Sequence, residues 1–207
     1  LLLVDAGLIL HSLRNLSRLD VASNPDNLVQ VLFDTRGAGY RDGEAAGAVY
    51  RLVLERVAAI PGVASVTAVR NPVMRHSLSR GLMRLPGVTL QPGEFWETAD
   101  VGPAFFETMG IPVMRGRTFA AEDFAAARRG FFIVNEAWAR RYFPNDDPVA
   151  REIGIIGVAA KVRLGGVRSG AGPMTFMMVP AEPDRVSALE VRAAGDPSTI
   201  LAAIRNE

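Results

Sequence analysis

The chain has 207 residues, 49% apolar and 22% charged, with 23 basic against 22 acidic side chains and a formal charge of +1. That is room for one ordinary domain or two small subdomains around a real core. The scattering of Arg among Asp and Glu argues against a nucleic-acid surface, and the absence of cysteine excludes disulfides, thiolate metal sites and a Cys nucleophile while leaving the redox compartment open.

Residues 1–10 are an apolar run half as long as a bilayer-spanning helix, and they carry Asp5. The run lacks the basic leader and small-residue cleavage site of a signal peptide. Read alone, it is either an amphipathic helix folded onto the domain or the end of a membrane helix. After the polar stretch 14–25, residues 28–33 read as a buried strand with Val29, Val31 and Phe33 on one face. Asp42 then caps a helix in which Val49, Val53 and Val57 recur at four-residue spacing beside Tyr50, Leu54 and Ile60, and Pro61-Gly62 ends it. Residues 63–69 follow as a second strand. The unit is β-α-β, with a right-handed connection if its strands lie parallel in one sheet.

The middle of the chain is richer in Gly, Pro and short apolar runs. Its candidate strands are residues 96–101, 111–115, 131–134 and 153–162, with one or two short helices among them. Asn135 is placed to cap a helix over 136–143, because its side-chain oxygen can accept from free N–H groups of the first turn, and Glu136 sits at the positive end of the dipole. Pro144 stops that helix, and Asn145-Asp146-Asp147-Pro148 is a turn. Residues 174–179 and 187–193 read as further strands. Asp196-Pro197 opens a last helix, with Asp at the cap and Pro at the first helical position, and Ile200, Leu201 and Ile204 form its apolar face. This final strand and helix match the opening unit but for one missing strand. The fold class is therefore α+β: a discontinuous ferredoxin-like base, residues 21–70 and 174–207, with a β-rich subdomain, residues 71–173, inserted. The first strand should share a sheet with the strand at 187–193.

Several pieces in order carry a resemblance: LLLVDAGLILHSLRNL, FFETMGIPVMRGRTF, FFIVNEAWARRYFPNDDPVAREI and IIGVAAKVRLGGVRSGAGPMTFMMVP. Together they resemble the extracytoplasmic domain of the MacB and FtsX-like permeases of ABC transporters, especially the large permeases of the type common in Acidobacteria. The likeness runs from the first residue to the last, and it makes residues 1–20 the outer end of a first transmembrane helix. At residues 151–155 the family has a further short strand and turn, so either this member is trimmed there or a loop is missing, which puts local pairing near Ile153 in question.

Chemistry was sought residue by residue. The only lysine, Lys161, has no Gly-Lys-Ser/Thr phosphate loop around it. The run 165–172, GGVRSGAG with Arg168, mimics a phosphate cradle but leads into Pro173 and a strand rather than a helix, so it reads as a connecting loop. His11 and His76 stand far apart with no His or Cys nearby, which does not make a zinc site. Asp146-Asp147 lacks the spaced oxygens of a calcium loop and reads as a solvated turn. Ser77 and Ser79 flank His76's neighbourhood without a nucleophile elbow. Met74, Met83, Met109, Met174, Met177 and Met178 read mostly as core fillers, and Trp96 and Trp138 as core unless partly exposed, in which case they would mark a partner surface. No catalytic, cofactor or metal residue is assigned.

What the resemblance implies is a non-catalytic periplasmic domain between the first and second transmembrane helices of a four-helix permease in the cell inner membrane, transmitting ATP-driven helix motion without a cofactor. Its implied partners are a cytoplasmic ABC ATPase, a second permease unit through homodimerisation or internal duplication, and a periplasmic adaptor as a further candidate. The competing readings are a small soluble α+β enzyme or ligand-binding protein, which needs a deep pocket with convergent polar groups, and a stand-alone interaction domain.

Overall fold

The computed structural model describes residues 26–32, 43–73, 78–81, 88–120, 123, 130–151, 153–164, 172–178 and 188–206. In chain order its strands are β1 (Leu28–Leu32), β2 (Val63–Val69), β3 (Ser79–Gly81), β4 (Trp96–Val101), β5 (Val113–Gly116), β6 (Phe132–Asn135), β7 (Ile155–Ala159), β8 (Met174–Met178) and β9 (Ala188–Ala193). The helices are α1 (Gly43–Ala59), α2 (Phe105–Met109), α3 (Glu136–Tyr142) and α4 (Ser198–Asn206), with a 3₁₀ turn at Pro148–Arg151. Among the described residues the protein is α+β, built on one mixed sheet of nine strands ordered β1-β9-β2-β4-β8-β6-β7-β5, with β3 paired to β4.

β9 lies between β1 and β2 and runs antiparallel to both, with Val191 opposite Val29 on one side and Val66 on the other. β1 and β2 are therefore parallel, as the β-α-β reading requires, but separated by a strand from the far end of the chain. The step from β2 to β4 is narrow: one antiparallel pair, Val69 with Val101, supplemented by the backbone bonds Arg70 N–H to Asp100 C=O at 3.0 Å and Gly102 N–H to Ala68 C=O at 2.8 Å. From β4 the sheet continues through parallel β8 and antiparallel β6.

Strand alternation divides the core between the two faces. On one face α1 and α4 bury Val57, Ile60 and Ile200 against Ala68, Leu189 and Val191. Further along the same face α3 packs Trp138 and Ala139 onto Trp96, Val134 and Val158. On the opposite face α2 drives Phe105, Phe106 and Met109 against Val69, Val101, Ile133 and Phe176. All four residues of β6 are buried, as befits a strand covered on both sides.

Among the described residues the caps at Asn135 and Asp196 act as read, while the Asp42 cap lies outside them. Asn135 Oδ1 accepts from the Trp138 N–H at 2.9 Å, and α3 ends before Pro144. Asp196 Oδ1 accepts from the Ser198 N–H at 2.9 Å to open α4. Differences fall where tertiary contacts outweigh local signals. The strand expected over 153–162 is confined to Ile155–Ala159, since beyond it Val162 and Leu164 leave the ladder to bury under α2. β5 is shifted to Val113–Gly116 and pairs with β7 through a bulge. Gly116 has φ +72°, and a Cβ there would lie 2.2 Å from the Ile156 carbonyl oxygen, so the edge of the sheet closes only around glycine. Near Ile153, Gly154 turns at φ +89°, and β7 has β6 on one side and β5 on the other, with the β6 register shifting between the Phe132–Ile155 and Ile133–Gly157 pairs. α2 was not anticipated. It follows Ala104 at φ 60°, has no side-chain cap, and exists because its aromatic residues are buried.

Candidate functional site

The junction between the three strands β1-β9-β2 and the rest of the sheet concentrates buried polar chemistry. Leu189, Val191 and Ala193 of β9 face α1 and α4, so Glu190 and Arg192 point to the opposite face, where the chain returns as residues 70–73 and α2. Glu190 stands in register between Gln30 of β1 and Thr67 of β2. It is 1% exposed. Its Oε1 accepts from Gln30 Nε2 at 2.8 Å and from the Val73 N–H at 3.2 Å, while Gln30 Nε2 also donates to the Val73 carbonyl at 3.2 Å. Both backbone groups of Val73 are thus held by side chains of the base strands. Burial pushes the Glu190 carboxyl above its ordinary value, against the lowering by the Gln30 and Val73 bonds.

Arg192, two residues on, reaches two further segments. Its Nε donates to the Thr108 carbonyl in the last turn of α2 at 2.6 Å, and Nη1 donates to the Asp26 carbonyl just before β1 at 2.8 Å. Among the described residues, Glu190 Oε2, Thr108 Oγ1 and Ser65 Oγ are buried without a hydrogen-bond partner. At Gly102 the chain passes so close to β2 that a Cβ would lie 3.1 Å from the Ala68 nitrogen and 3.2 Å from Thr67 Oγ1.

The other residues singled out in the sequence have structural roles. Asp146 pairs with Arg151, and Asp147 pairs with Arg115 and accepts from the Val149 N–H, so the acidic turn spends its carboxylates on local contacts. Lys161 is exposed, and its backbone N–H donates to Glu136. Trp96 and Trp138 are 1% and 0% exposed and meet edge-to-face at 5.8 Å, which places both in the core and not on a partner surface. Met109, Met174 and Met178 are buried and Met177 partly so. Ser79 lies in β3 opposite Thr98. Residues 1–10, His11, Met74, His76, Ser77, Met83, Arg168 and Glu207 lie outside the described residues. Of the loop at 165–172 only Gly172 is described, and its carbonyl accepts from Asn135 Nδ2 at 2.8 Å.

Among the described residues no group of three His, Cys, Asp or Glu side chains is arranged for a metal ion, and no helix is long and apolar enough to cross a membrane. A surface groove of about 470 Å³ beside Gly116, Phe131 and Ile155 offers one charged side chain, Arg117, which is paired to Asp123.

A family model for the MacB-like periplasmic core domain matches residues 3–207. The chain belongs to that family. As a MacB-like periplasmic core domain it is the extracytoplasmic part of an ABC-transporter permease. Its fold is similar to that of the periplasmic region of MacB from Actinobacillus actinomycetemcomitans, with a TM-score of 0.56 and 11% identity over 93% of this chain and 86% of that one. A second similar structure is the extracellular domain of the noncanonic ABC-type transporter YknZ from Gram-positive bacteria, with a TM-score of 0.46 and 14% identity over 74% of this chain and 76% of the other. No curated protein matches the MacB-like domain in sequence. Sequence reasoning had not singled out Gln30, Thr108, Glu190 or Arg192. The signal for Glu190 and Arg192 is charge at alternate positions of a strand that is otherwise apolar; Gln30 and Thr108 carry no such signal.

Proposed function

We propose that this MacB-like domain is a non-catalytic transmitter, carrying ATP-driven motion of the membrane helices to export or to extracytoplasmic partners. In this reading residues 1–20 adjoin the inner membrane, residues 21–70 and 174–207 form the base, and residues 71–173 form the insert that reaches the partner. The partners are a cytoplasmic ABC ATPase, a second permease unit and a periplasmic adaptor. The observation that carries the reading is the junction of β1 with β9. The Ala193 N–H donates to the Asn27 carbonyl at 2.8 Å, and Arg192 holds Asp26, so the chain segment before the first strand is fastened to the end of the last strand. Displacing that segment displaces the strand that grips the insert.

The test uses the full permease reconstituted with its ATPase. With any cysteines elsewhere in the permease and ATPase replaced, Met114→Cys, at a site 57% exposed, and its counterpart in the second unit place one spin label on each copy of the domain. Trapping the ATPase in its ATP-bound state should shift the distance between labels on the two units. Identical distance distributions with and without ATP would refute transmission through this domain.

A further inference from the structure

We propose that Glu190 and Arg192 of β9, with Gln30 of β1, form a polar clasp that sets the orientation of residues 71–178, β8 included because it pairs with β4 and β6, on the three strands β1, β9 and β2, and is the place where that orientation can change. The proposal deepens the transmission reading and identifies the element that would move. Two features of the junction carry it.

The first is that backbone pairing alone leaves the orientation weakly fixed. β2 and β4 share one register pair, Val69 with Val101, whereas β2 and β9 pair along most of their length. A ladder one pair long resists shear but tolerates twist, because strand orientation is defined by several successive bonds. The Arg70–Asp100 ion pair at 2.9 Å sits at the same point and adds no second point of attachment along the strands. Angular restraint must come from contacts away from this pivot.

The second is that the contacts away from the pivot include, beside the apolar packing of α2 and Leu28, polar ones that are incompletely satisfied. Glu190 and Gln30 grip Val73 by both its N–H and its carbonyl, and Arg192 grips the Thr108 carbonyl in α2. These are two separate attachments to the insert from neighbouring positions on one strand. The same seam holds three buried oxygens without partners among the described residues, on Glu190, Thr108 and Ser65. An unpartnered buried oxygen destabilises the closed arrangement, since any opening that admits water satisfies it. An apolar seam would have no alternative partner to gain on opening. Here the charge-assisted bonds hold the seam closed and the unsatisfied oxygens lower the cost of opening it, which is the balance a two-position junction requires. Val69 and Ala188 share one apolar core with Phe105, Phe106 and Met109, with Leu28 of β1 packed against it, so the two parts stay in apolar contact.

Hydrogen exchange of the whole chain, resolved by peptide, tests the clasp without reference to transport. Glu190→Leu should speed exchange at least tenfold in residues 70–73 and 105–110, while β6 and β7 exchange as in the parent. Glu190→Gln keeps an oxygen acceptor for the Val73 N–H and should stay within about threefold of the parent. Should Glu190→Leu fail to fold, Gln30→Leu on the edge strand removes one arm of the grip and should speed exchange in residues 70–73 selectively. Unchanged exchange at these two segments, or equal acceleration throughout the chain, would overturn the proposal. A clasp that responds as expected in a domain whose Met114 labels do not move with ATP would retain the device and sink the transmission reading alone.

Discussion

Replacing Trp138 with alanine should be among the most damaging single changes outside the junction. The indole is 0% exposed. Its ring centroid lies 5.8 Å from Trp96, 4.9 Å from Tyr142 and 5.7 Å from Phe143, so it is the hub that fixes α3 on β4, β6 and β7. Truncation removes roughly 200 Å² of buried apolar surface, worth about 5 kcal/mol at about 25 cal/mol per Å² as an upper figure, because the unfolded chain already shields part of it. Partial collapse of the cavity brings the expected loss to about 3–5 kcal/mol. No hydrogen bond is lost, since Nε1 has no partner. Trp138→Phe, which keeps an aromatic ring against Trp96 and Tyr142, should therefore cost less than half as much. In urea, with a slope of about 2 kcal/mol/M, Trp138→Ala should lower the unfolding midpoint by about 1.5–2.5 M, followed by far-ultraviolet circular dichroism. A midpoint within about 0.3 M of the parent would refute the packing described for this face.

Substitutions at two further positions test separate features. Asn135 caps α3 and also joins it to β8, accepting from the Met174 N–H at 3.1 Å and donating to Gly172, so Asn135→Ala should cost about 2–4 kcal/mol in thermal unfolding, and Asn135→Ser, which keeps the cap, about half that; a Ser variant as stable as the parent would show that the cross-connection contributes nothing, and equal losses that the cap does not. Asp123 is held below its ordinary value of 3.8 chiefly by its hydrogen bonds with Arg117, one of them at 2.9 Å, with the Ala120 N–H adding to the effect. Because the folded value is the lower one, the stabilisation is complete above 3.8 and is lost as pH falls through the folded value. Asp123→Asn should be less stable than the parent at neutral pH, and the difference should shrink below pH 3.8; a constant difference down to acid unfolding would contradict the pairing.

The sheet's local pieces were legible because each carries its own signal. Val63 to Val69 and Trp96 to Val101 occupy the expected strand positions, and Asn135, Pro144 and Asp196 cap or end helices where local hydrogen bonding dictates. α2 was not legible, since its five residues have no capping side chain and are helical only because Phe105, Phe106 and Met109 have a core to enter. The same limit hid the junction. In isolation, Leu189, Val191 and Ala193 alternating with Glu190 and Arg192 describe a strand with one apolar and one solvated face.

By itself, then, the sequence determined which segments could be strands and helices, where the helices begin and stop, and which apolar stripes of α1 and α4 would seek a sheet. Those properties depend on side-chain periodicity and on backbone groups within a few residues of one another. Only the tertiary structure decided that β9 would separate β1 from β2, and that residues 70–73 and α2 would cover its polar face. That choice rests on contacts between residues more than a hundred positions apart, such as Gln30 and Val73 with Glu190. It turned a carboxylate that belongs in water by local rules into a buried acceptor, because closing the sheet removed the solvent and supplied the Gln30 amide and the Val73 N–H in its place.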